Sequence, residues 1–131
     1  MKPQTRSNEA GWVLLEAVLL GMIVLGSAAA IGIFARTALL EEHAAARMEA
    51  ALLARARFSM MEADLDQGIP PPPVSLTLTS NGRVYRVETT VVRRDDFYDV
   101  SLRLSWQLLG REEQADFVRR MRQHVHAEST P

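Results

Sequence analysis

One side chain in this sequence stands where its chemistry is costly. Glu16 lies inside the run WVLLEAVLLGMIVLGSAAAIGIFA, residues 12 to 35, and is the only charged residue in it. A carboxylate well inside a bilayer costs about 2.5–3.5 kcal/mol on insertion scales, so such residues mark function and require a partner. Other groups offer weaker chemistry. His124-x-His126 places two imidazoles close together, but zinc takes three or four ligands of fixed geometry. The chain has no cysteine, and His43 is distant in sequence. Asp95, Asp96 and Asp99 carry oxygens suited to calcium but lack the regular alternation of a calcium loop. A solvated turn fits them better. Arg93, Arg94, Arg119, Arg120 and Arg122 form a modest basic region of the kind that meets phosphates. Glu112, Glu113 and Asp116 offset it. Phosphate loops, G-x-S-x-G elbows and Cys/His pairs are all missing from the sequence. No catalytic residue, metal, cofactor, nucleic-acid partner or small-molecule substrate is therefore expected.

The elements that position Glu16 follow from composition. Formal net charge is −1 over 131 residues, which gives no global bias toward nucleic acid or anionic lipid. Residues 1–11 are short and polar and read as a leader. Residues 12–35 are almost wholly apolar and exceed the roughly 20 residues that a membrane helix needs. Lys2 and Arg6 precede the run, which by the positive-inside rule sets the N-terminus in the cytoplasm and the remainder outside. Residues 36–69 continue as a helix rich in Ala, Leu, Glu, Arg and Met, with no glycine or proline from 33 to 67. Ala45, Met48, Leu52, Ala56, Met60 and Ala63 recur every three or four residues and define an apolar face. The expectation is that this face, with Met61, enters a core. Gly68 is a C-cap, and Pro70 stops the helix.

Residues 70–73 are four prolines, an extended linker. Residues 74–123 read as an antiparallel β head. Val74 to Thr79 alternates apolar and polar residues, Asn81-Gly82 is a hairpin turn, and Val84 to Arg93 forms a second strand. Tyr98 to Trp106 alternates cleanly as a third strand with one buried face. Residues 112–125 fit a helical period slightly better than a strand on local pattern alone. Residues 124–131 read as a loose tail. The fold class expected is α+β, a long N-terminal helix packed on an antiparallel sheet of three or four strands. So small a head cannot bury much core alone, so the helix must supply its other side.

Gly11-Trp12-Val13-Leu14-Leu15-Glu16 resembles the prepilin signal of type IV pilins and type II secretion pseudopilins. In that pattern a glycine, an aromatic, two aliphatics and a glutamate precede a long apolar run. Trp12 stands where Phe is usual, and Val13 where Thr is usual. The resemblance implies cleavage by a prepilin peptidase between Gly11 and Trp12, with methylation of the new Trp12 amine. It also implies assembly with other pilin or pseudopilin subunits in a type IV pilus, type II secretion or competence filament. The heads of that family also end in a further strand, which favours a fourth strand over a helix at 112–125. In a bundle of such helices, Glu16 of one subunit can face the Trp12 amine of its neighbour and set axial register. Two other readings of the run remain. One is an ordinary single-pass anchor carrying a partner-binding head, with Glu16 at the headgroups. The other is a cleaved secretory signal ending near Ala28-Ala29-Ala30.

Overall fold

A computed structural model describes residues 5–124 of the chain, with side chains from residue 8 onward. The architecture is α+β: helix α1 (Thr5–Asp66), then strands β1 (Ser75–Ser80), β2 (Arg83–Arg93), β3 (Tyr98–Leu108) and β4 (Arg111–Met121). The chain divides into two compact units, one ending at Glu42 and the other beginning at His43.

In the first unit, α1 begins at Thr5, ahead of the expected start near residue 12. Within the leader, Asn8, Glu9, Ala10 and Gly11 are helical. No proline lies between Thr5 and the apolar run, so nothing local stops the helix from extending back through them. Every described side chain from Asn8 to Glu42 is exposed.

In the second unit, the four strands form a meander in the order β1-β2-β3-β4, all neighbours antiparallel. The fourth strand is present, and the helical period at 112–125 is overridden by pairing with β3 from Tyr98↔Met121 to Leu108↔Arg111. Asn81 and Gly82 both take positive φ, 48° and 74°, the geometry of a two-residue hairpin turn whose twist matches the strands. Leu109 and Gly110 repeat it at 52° and 75°. Leucine is an unusual occupant of that first position.

The end of α1 is closed as the sequence suggests. Gly68 takes φ 84°. Its N–H donates to the Leu65 carbonyl at 2.9 Å, and the Ile69 N–H donates to the Asp64 carbonyl at 2.9 Å. These are the two bonds of a Schellman cap. The proline segment that follows is more than a spacer, because Pro71 is buried.

The core lies between one stripe of α1 and the inner face of the sheet. The stripe is Ala46, Ala50, Ala54, Phe58, Met61 and Leu65. It meets Tyr85, Val87, Val100, Leu102, Leu104, Trp106, Leu108 and Met121, all buried. The face expected from the sequence is the wrong one. Met48, Leu52 and Met60 are 68%, 57% and 58% exposed, whereas Met61 is 2% exposed. Ala45, Ala56 and Ala63 are exposed with them. At 3.6 residues per turn, positions 46 and 48 are separated by about half a turn. The helix thus carries two apolar stripes on roughly opposite sides. The sheet covers the one with alanine at three successive i+4 positions. Tyr85 reaches that stripe, its hydroxyl 3.3 Å from the Ala46 carbonyl, and its ring lies 5.6 Å from that of Trp106 across a β2–β3 pair. Bulk on one surface is matched by its lack on the other, as close packing demands.

Candidate assembly surface

The candidate site residues from the sequence all lie on α1. Gly11, Trp12 and Glu16 lie within two turns of exposed helix. Trp12 is 70% exposed, and Glu16 sits four residues on, on the same side of the helix. A Cβ added at Gly11 would meet nothing within 4 Å. The same is true of Gly21, Gly26 and Gly32, so nothing in this chain's own packing requires glycine at those positions.

Among the described residues, one helix is long and apolar enough to cross a membrane. None of its most apolar window is buried. Between residues 12 and 35 only two side chains carry polar atoms other than the indole of Trp12: Glu16 and Ser27. The Ser27 hydroxyl donates to the Ile23 carbonyl at 2.8 Å, four residues back. Just beyond, the Thr37 hydroxyl does the same to Ile33 at 2.9 Å. Such back-bonding satisfies a hydroxyl inside the helix's own surface, which suits an apolar medium. Glu16 has no such recourse. No described residue forms a hydrogen bond or ion pair with it.

No family model, curated protein or solved structure matches this chain.

The second unit adds an apolar surface that the three-to-four-residue period predicts to be core. Met48, Leu52 and Met60 project from α1 away from the stripe that packs on the sheet. Near its start the sheet is tied to the helix by a polar cluster. Tyr85 Oη donates to Glu49 Oε2 at 2.7 Å, and Arg83 Nη1 donates to both groups at 3.4 Å. The Ser80 and Tyr85 hydroxyls, with the Arg83 charge, hold the Glu49 carboxyl below its ordinary value. Burial pushes the Tyr85 phenol up, so it stays a proton donor. Nothing in the local sequence marks these residues, because Glu49 and Tyr85 lie 36 positions apart.

The other chemistry-bearing groups are taken up within the head. Asp99 meets Arg120 at 3.0 Å and Arg94 at 3.7 Å, and Asp96 meets Arg122 at 3.9 Å. Arg120 also stacks 3.9 Å from the Phe97 ring centroid. Arg119 pairs with Glu62 at 3.4 Å and lies over Phe58. Asp96 and Asp99 are thus each held by arginines. The His124 backbone N–H donates to Asp66 Oδ1 at 3.2 Å, with its Nδ1 at 3.3 Å from the same oxygen. That anchors the first residue of the expected loose tail. His126 and the rest of the tail lie outside the described residues, as do Met1 to Gln4 of the leader. Among the described residues no three His, Asp or Glu side chains gather as a metal site.

Proposed function

We propose that this chain is a membrane-anchored structural subunit of the minor pilin or pseudopilin kind. Its leader is removed between Gly11 and Trp12 by a prepilin peptidase. Its helix then packs beside those of sister subunits in a type IV pilus, type II secretion or competence filament. The N-terminus starts in the cytoplasm and the head lies outside the inner membrane. The chain has no catalytic role in this reading.

The observation that carries the proposal is the carboxylate of Glu16, without a partner among the described residues, in an otherwise apolar and exposed stretch of helix. Trimming after Gly11 creates a positive amine four residues away, on Trp12. Within one helix that amine belongs to the first turn. In a staggered neighbour it can sit against Glu16, and a paired charge tolerates a dry environment that an isolated one does not. The exposed stripe of Met48, Leu52 and Met60 supports the same reading. A helix that is apolar on two sides and covered on one has a second surface that gains by burial. The glycines at 21, 26 and 32 leave room for close helix–helix approach in lipid.

The test is the mature N-terminus in cells that possess a prepilin peptidase. Mass spectrometry of the isolated protein is expected to find a methylated Trp12 as the first residue. A chain that keeps residues 1–11 would instead be a single-pass envelope protein with a partner-binding head. A start near residue 31 would make the run a secretory signal. Replacing Gly11 with a bulky residue is expected to abolish trimming while leaving the helix intact, since the position is open space in the fold.

A further inference from the structure

We draw no further inference here: the strongest candidate, the outer edge of β4 with its acidic first half (Glu112, Glu113, Asp116) and basic second half (Arg119, Arg120), carries nothing, because Asp116, Arg119 and Arg120 are already engaged by Arg103, Glu62 and Asp99 of the same chain and nothing in the structure shows which strand would cover that edge.

Discussion

Two stretches of the same helix face opposite physical problems. Residues 12–35 are apolar on every side and bury nothing, whereas residues 43–66 bury one stripe against the sheet and expose the rest. No described side chain of the first stretch is buried, and its apolar composition suits a medium that replaces water. The second is stabilised internally, by packing of the kind worth about 25 cal/mol per Å² of apolar area removed from water. The difference teaches where to look for function. A charge in the second stretch, Glu49, is answered by Tyr85 and Arg83 of the same molecule. A charge in the first, Glu16, has no such partner among the described residues. Similar residues on one helix thus have different meanings, and only the contacts separate them.

That contrast can be broken or sharpened by substitution. The largest effect is expected at Glu16. Glu16→Gln should leave membrane insertion intact and reduce incorporation into filaments by more than tenfold. Removing one member of a buried ion pair costs about 3–5 kcal/mol through the charge left behind. Quantifying the subunit in sheared filaments against total membrane protein checks it, and wild-type incorporation would remove the pairing argument.

Next in size is a pair of neighbouring methionines, one exposed and one buried. Met61→Ala should destabilise the head by about 2–5 kcal/mol, since it deletes a buried side chain and leaves a cavity. Met60→Ala should stay within about 0.5 kcal/mol in the isolated, detergent-solubilised chain, because the side chain is exposed there. Urea titration of the two variants measures both. In filaments the order is expected to narrow, with Met60→Ala now reducing assembly. Equal costs in the isolated chain would mean that the stripes had been assigned to the wrong sides.

The Glu49 cluster should be worth less. Tyr85→Phe removes the 2.7 Å hydrogen bond to a carboxylate and is expected to cost about 1–2 kcal/mol. The pH dependence has a fixed sign. The folded state holds the Glu49 carboxyl below its ordinary value of 4.5, so the ionised form is the one stabilised. That stabilisation is present above about pH 4.5 and is lost as pH falls through the lowered value. Comparing thermal unfolding of the wild type and Glu49→Gln at neutral pH and in the acid range checks this. The gap between them should shrink on acidification.

The smallest change is a gain. Leu109 occupies the left-handed region at φ 52° and is 61% exposed, so it bears strain with little packing in return. That conformation costs an ordinary residue about 1–2 kcal/mol. Leu109→Asn would recreate the Asn-Gly turn that already joins β1 to β2. It should raise stability by about 1 kcal/mol, measured as a rise in the denaturation midpoint.

Much of this protein follows from short-range rules. The apolar run, the lone Glu16, the Gly68 cap, the Asn81-Gly82 turn and the alternation of β3 each depend on residues within a few positions of one another. Local chemistry is enough to settle them. Three features did not follow. The helical period at 112–125 lost to strand pairing, because a ladder along β3 outweighs a weak local preference. The apolar stripe that entered the core could not be read from periodicity, because two stripes have it. Tertiary structure chose between them, gathering the alanines at 46, 50 and 54 into one buried cluster with Tyr85 and Trp106. The bond between Glu49 and Tyr85 joins groups 36 residues apart, a pairing that only the closed sheet creates. Sequence alone decides what each segment can do, since propensity and polarity are local properties. Which of two equivalent faces is buried, and which stays exposed, is decided by packing across an interface whose two sides are distant in sequence.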